Sequence, residues 1–245
     1  MQIIEIWHKI TSNYGTSIEL KAELHKRMYE TLGGTIIKHR YLDIGAGNGA
    51  IALTIGKEFD EIYGLDVAFW KYGDETYNPD LKTSGMQCVM GTANNLPFAD
   101  ESFDLISIIS VIEHVPVSQQ KNAIIESLRV LREGGELLLH LPNRYFPICL
   151  HSSLPNPIFL PKKMRIHLLN AIGYEWLLDV DIPTVKTIKT WLKTNSDALV
   201  KLKPVVWPEE LVPPNLRWLY RIGKHIGIFI IFPFGYMLVV EKHRF

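Results

Sequence analysis

Two stretches of this 245-residue chain hold side chains whose types and spacing could do chemistry. In the first, HRYLDIGAGNGAIALTIG (His39 to Gly56), Asp43 precedes the first of three glycines, Gly45, Gly47 and Gly49, by two positions. Glycine is needed where a backbone turns tightly, or where a ligand occupies the space a β-carbon would fill. A second acid, Asp66, follows Gly45 by 21 residues (66 − 45) and closes the next apolar run, where it would meet ribose hydroxyls. In the second stretch Glu113 and His114 stand just beyond another apolar run. An imidazole there has the intrinsic pKa to remove a hydroxyl proton near neutrality. The alternative for His114 is to cap the next helix or close a pocket without moving a proton.

Such residues act only if a scaffold brings them to one edge. The runs YLDIG (41–45), EIYGLD (61–66), MQCVMG (86–91), FDLISIIS (103–110) and GELLLHLP (135–142) are continuously apolar rather than alternating. That is the pattern of parallel strands covered on both faces. Between the last two, SQQKNAIIESLRVLREGG sets Ile124, Leu128 and Leu131 at helical spacing. This predicts a helix capped by Ser118 and stopped at Gly134-Gly135. Strands alternating with helices make a doubly wound α/β sheet, and in such sheets ligands bind beyond the carboxyl ends of the strands. Asp43, the glycines, Asp66 and His114 then share one edge.

After Pro142 the pattern changes, with five prolines in residues 142–161. Helices are expected in KKMRIHLLNAIG and in TVKTIKTWLKTN, the latter opened by Pro183 and Thr184. A strand (198–207), a helix (214–230) and a last strand (235–243) follow, giving a mostly parallel seven-stranded sheet with helices on both faces and a cap inserted between its fifth and sixth strands. One domain is expected over 1–245. Its parts are an N-terminal helical lid (1–37, with Tyr14 over the ligand), a cofactor half (38–142), a substrate-side insert (143–197) and closing strands and helix (198–245).

Composition narrows the partners. Lys plus Arg equals Asp plus Glu, 26 each, which argues against nucleic acid as the main partner. Cys88 and Cys149 lack metal-ligand spacing and predict no disulfide framework, as in a reducing cytoplasm. The N-terminus lacks the basic start and apolar core of a signal peptide. The longest apolar tract, 226–240, is broken by Pro233 and Gly235 and too short to span a bilayer.

The glycine loop alone admits two ligands. Read as G-x-G-x-x-A it suits a nicotinamide or flavin dinucleotide, and Asp66 suits either class. Asp43 would repel a pyrophosphate but suit an ammonium-bearing ligand, and Gly49 gives D-x-G-x-G-x-G. With GTANNLPFADESFDLISIISVIEHV (91–115), the chain from about 38 to 143 resembles the class I S-adenosylmethionine-dependent methyltransferases of small molecules, whose fold is Rossmann-like.

The resemblance implies that Asp43, Gly45, Ala46, Gly47 and Gly49 hold the methionine part of S-adenosylmethionine. It also implies that Asp66 takes both ribose hydroxyls, that Val67 meets the adenine face and that Ser110 lies near the methionine end. Thr92 stands where relatives carry an aspartate that accepts from the adenine amino group. Its hydroxyl can still accept, and the Ala93 amide can meet an adenine nitrogen. Ubiquinone-biosynthesis O-methyltransferases are similar here but place a metal-site glutamate where this chain has Ser110, so no metal is expected.

Methyl transfer would need a base only for a protonated acceptor, the role open to His114. Asn143, Arg144, Tyr145 and His151 are the candidate acceptor contacts, with Arg144 able to clamp a carboxylate or phosphate. The apolar insert favours lipid-linked or natural-product acceptors. Trp207, Trp218, Tyr220, Phe229, Phe232 and Phe234 accompany Arg217, Arg221, Lys224 and His225. Residues 214–232 would thus either touch a membrane surface or pack on the sheet or in a dimer. The rival functions are an NAD(P)-dependent oxidoreductase and an inactive S-adenosylmethionine-binding protein acting through a partner.

Overall fold

The continuous apolar runs become the centre of a seven-stranded sheet. In the computed structural model, residues 18–32, 38–69, 81, 84–147, 149, 156–193, 199–206, 209, 212, 217–231 and 233–243 are described. The strands are β1 (Arg40–Ile44), β2 (Glu61–Asp66), β3 (Met86–Met90), β4 (Phe103–Ile109), β5 (Leu131–Pro142), β6 (Leu199–Val205) and β7 (Gly235–Glu241). Their order is β3-β2-β1-β4-β5-β7-β6, parallel except that β7 runs antiparallel to both neighbours. β4 is central and the order reverses between it and β1, so a crevice opens beyond the carboxyl ends of β1 and β4.

Helices cover both faces. They are α1 (Ile18–Leu32), α2 (Ala50–Ile55), α3 (Val117–Val130), α4 (Lys162–Ala171), α5 (Val185–Lys193), α6 (Arg217–His225) and α7 (Ile228–Ile231). On one face Leu42, Ile44, Ile106, Ile108, Leu137 and Leu139 pack with Ile124 and Leu128 of α3 and Ile188 and Leu192 of α5. On the other face Tyr41, Leu105, Ile109, Leu138 and Met237 meet Met28 and Tyr29 of α1 and Ala52 and Ile55 of α2. Alternation along the strands puts four buried polar residues, Asp43, Ser107, Glu136 and His140, on the α1 face.

Three boundaries differ from expectation. α3 starts at Val117 on the carbonyl of Pro116, with no side-chain cap, so Ser118 lies inside the first turn. Pro116 presets the entry and the serine is not required. α3 also stops at Val130 rather than at Gly134-Gly135, because β5 begins at once. Gly134, at φ +71°, serves an irregularity in β5, where the register jumps from Phe103↔Leu131 to Leu105↔Glu136. The helix expected over 214–230 is broken at Gly227 into α6 and α7. Pro214, Trp207 and Phe232 lie outside the described residues, as does Tyr14 of the N-terminal segment.

The opening of α5 is as expected. Thr184 opens α5, its Oγ1 accepting from the Thr187 amide at 3.1 Å. Asp104 fixes backbone: it accepts from the Arg40 amide at 2.7 Å and from Arg132 Nη1 at 2.9 Å.

Candidate functional site

The turn after β1 is built from backbone that side chains rarely adopt. Gly45, Gly47 and Gly49 have φ of +76°, +52° and +79°. At Gly45 a β-carbon would also lie 2.2 Å from Val111 Cγ2, so this glycine answers both to the turn and to the close approach of the segment after β4. The loop is held to β2 by the Gly45 amide on the Leu65 carbonyl at 2.7 Å and the Gly47 amide on Asp66 Oδ2 at 2.8 Å. Asp66 Oδ1 accepts from the Ala68 amide at 3.0 Å. The Asp66 carboxylate thus fastens the loop after β1 to the loop after β2, keeping lone pairs toward the crevice.

The crevice is a cavity of about 470 Å³. Gly45 and Asp66 bound one side, Thr92 and Ala93 another, and Ser110, Val111 and His114 a third. Val67 lines it with an exposed side chain, an apolar surface left bare beside an acid. Its size falls in the range of small-molecule sites, and its position at the reversal of strand order is where this fold class binds ligand.

The other loop residues form the wall behind. Asp43, Ala46, Gly47 and Gly49 do not line the cavity. Asp43 is buried; it accepts from Ser107 Oγ, which in turn lies 2.7 Å from the Tyr41 hydroxyl. Burial pushes its carboxyl up to about 7, with the Asp66 charge adding to the rise and the bonds from Ser107 and the Ala52 amide opposing it. Asp43 therefore ties β1, β4 and α2 together. A carboxyl so poised also repels a pyrophosphate less than its sequence position suggests.

Glu113 and His114 part company. The turn Ile112–His114 sends His114 to the cavity wall and buries Glu113, whose main-chain carbonyl accepts from the Asp181 amide at 3.0 Å. Ser110 carries the one strained backbone at the cavity among the described non-glycine residues, with φ +56°. Its Oγ lies 2.8 Å from Nδ1 of His140, which is buried and has no partner for Nε2 among the described residues. His140 meets the ring of His25 on α1 edge-on at 4.9 Å, and His25 Nδ1 donates to the Lys21 carbonyl at 2.7 Å. Burial lowers both imidazoles, His25 to about 4 and His140 well below its ordinary value, so both are neutral at pH 7.

Of the acceptor-side residues, Asn143 is consumed by structure. Its Nδ2 donates to the Pro233 carbonyl at 2.9 Å and its Oδ1 accepts from the Tyr145 amide at 3.0 Å. Arg144 donates Nη1 to the Ile182 carbonyl at 3.0 Å and stands 3.8 Å from Asp181. Both residues line two further cavities of about 130 and 270 Å³, separate in lining from the 470 Å³ one. His151 lies outside the described residues.

Sequence reasoning missed Gln119, Val111 and Pro116 in the cavity wall, and the Ser110–His140 contact. The signal for His140 was present. A histidine inside the buried run GELLLHLP must find a hydrogen-bond partner.

Among the described residues no cluster of three His, Cys, Asp or Glu is placed to hold a metal, and no helix is long and apolar enough to cross a membrane.

Comparison with known proteins agrees with this geometry. Residues 42–139 match the family model of a methyltransferase domain. An uncharacterized methyltransferase of Bacillus subtilis, YcgJ, is 37% identical over 105 residues, which are 42% of this chain and 40% of that protein. The ubiquinone/menaquinone biosynthesis C-methyltransferase UbiE of Azotobacter vinelandii is 29% identical over 147 residues, 56% of this chain and 57% of that one. The chain spans about half the length of the curated relatives it matches. Among solved structures, a SAM-dependent methyltransferase from Archaeoglobus fulgidus shares the fold, with a TM-score of 0.56 and 18% identity over 95% of this chain and 97% of that one. Residues 42–139, from within β1 to within β5, thus match a methyltransferase domain, set in a fold shared with the Archaeoglobus fulgidus SAM-dependent methyltransferase.

Proposed function

We propose that the chain transfers a methyl group from S-adenosylmethionine to a small-molecule acceptor at the carboxyl ends of β1 and β4. The observation that carries this reading is the 470 Å³ cavity, whose wall combines an acid at the end of β2, an exposed valine after it and a serine at the end of β4. These groups fit the cofactor: a carboxylate for vicinal hydroxyls, an apolar surface for a purine, and polar atoms at the opposite wall. S-adenosylmethionine would supply a methyl on a sulfonium. The chain's own residues have to hold the reactants in line and keep water out.

Asp66, Val67, Thr92 and Ala93 would take the nucleoside end, and Gly45 and Ser110 the amino-acid end. His114, on the wall of the same cavity, is the residue to accept a proton from an acceptor hydroxyl. Arg144, between the two smaller cavities, would bind an anionic or polar part of the acceptor. Asp43 and Asn143 would act only by holding the frame.

Calorimetric titration with S-adenosylhomocysteine, and in parallel with NAD and NADP, tests the reading. Micromolar affinity for the first and none for the dinucleotides is expected. Binding of a dinucleotide alone would overturn the proposal and return the chain to oxidoreductase chemistry.

A further inference from the structure

α6 distributes its side chains over three arcs, and only one of them is buried. At about 100° per residue, Tyr220 and Gly223 share the buried arc. Arg217, Arg221, Lys224 and His225 follow on the next arc, and Trp218, Leu219, Ile222 and Ile226 on the third. The third arc faces solvent: Trp218 is 62% exposed, Leu219 53%, Ile222 50% and Ile226 66%. No acid occurs between residues 217 and 231. Among the described residues the acid placed against this helix is Glu209, which pairs with Arg221 at 2.9 Å. A helix that served only the core would not leave a tryptophan and three branched apolar side chains in water.

α6 is anchored at the site end of the sheet. Tyr220 stacks on Phe229 at 5.0 Å, Phe229 on Phe234 at 5.1 Å, and Phe234 lies 4.5 Å from Phe146. Phe234 directly precedes Gly235, which pairs with Pro142 at the carboxyl end of β5. The exposed arc is thus carried on the same rim of the fold as the cavities around Arg144.

We propose that α6 is an interfacial helix that lays Trp218, Leu219, Ile222 and Ile226 into an anionic bilayer surface, with its four basic residues against the phosphate headgroups. An apolar arc flanked by cations, with tryptophan among its members, matches the depth profile of such a surface. Charge complementarity selects this occupant over a second copy of the chain. A two-fold contact through α6 would set Arg217, Arg221 and Lys224 against the same three, with Glu209 the one acid among the described residues that stands beside them. The inference stands whether or not methyl transfer is the reaction.

Flotation of the full chain with phosphatidylcholine vesicles, with and without phosphatidylglycerol, tests it. The chain should float with the anionic vesicles only. Trp218→Ser combined with Ile222→Ser should abolish flotation while circular dichroism stays unchanged, both side chains being outside the core. Arg221→Gln combined with Lys224→Gln should weaken it by roughly fivefold per cation removed. The proposal is overturned if the chain ignores anionic vesicles, if flotation is indifferent to both pairs of substitutions, or if light scattering shows a dimer that the serine variant splits.

Discussion

Ser110 holds φ +56° with a β-carbon present, a conformation that costs an L-residue roughly 1–2 kcal/mol. A bond from its hydroxyl to a buried histidine, and a place on the wall of the main cavity, are what that strain secures. Comparing two substitutions isolates the backbone term, since both delete the hydroxyl. Ser110→Gly should unfold at a higher urea midpoint than Ser110→Ala, by about 1 kcal/mol, the reverse of their order at an ordinary position. Equal or inverted midpoints would mean that Ser110 sits in relaxed backbone. Residue types at the site were legible from their spacing, but their directions were not. Adjacent Glu113 and His114 point to core and cavity because a single turn ends β4 there. Asp43, two residues before Gly45, faces α2 because strand parity puts it beside Tyr41 and Ser107.

Between elements, α1 is tied to the sheet by polar contacts as well as by apolar packing. Tyr29 donates to the buried Glu136 at 2.8 Å, and His25 meets His140 one turn earlier along α1. Burial lowers His25 from 6.5 to about 4, so its contribution to stability is full above pH 6.5 and is lost as pH falls toward 4. Asp43 acts with the opposite sign: raised from 3.8 to about 7, it contributes most below pH 4 and less as pH climbs to 7. His25→Phe keeps the ring packing and removes one titration. Between pH 7 and 4.5 the wild type should therefore lose about 2 kcal/mol more than the variant, read from urea midpoints at the two values. Parallel losses would place the acid sensitivity elsewhere. The strands of this core could be read from sequence because a sheet covered on both faces makes its strands apolar without a break. The ends of α3 could not, since a proline carbonyl replaced the side-chain cap and β5 took over three residues before the glycines.

The whole molecule divides its binding surface between two sets of elements. The 470 Å³ cavity is walled by the ends of β1, β2 and β4 and the loops after β2, β3 and β4, and the two smaller cavities by the end of β5 and the segment leading to α5. They share no lining residue, yet the two regions are fastened together: Gln120 Nε2 donates to the Asp181 carbonyl at 2.8 Å and the Asp181 amide to the Glu113 carbonyl at 3.0 Å. If the first cavity holds the cofactor and the others the acceptor, ligand-induced stabilisation must separate the same way. Saturating S-adenosylhomocysteine at 100 times its Kd stabilises a folded protein by about 2.7 kcal/mol. For a chain of this length that is a rise in Tm of roughly 5–10 °C. Arg144→Ala should keep this rise in full, because no atom of Arg144 lines the larger cavity. Asp66→Ala should lose most of it, since the carboxylate both faces that cavity and holds the Gly47 amide in the turn. A rise abolished by Arg144→Ala would show that the post-β5 segment closes over the cofactor itself, and the acceptor would then have to be sought in the 470 Å³ cavity beside His114.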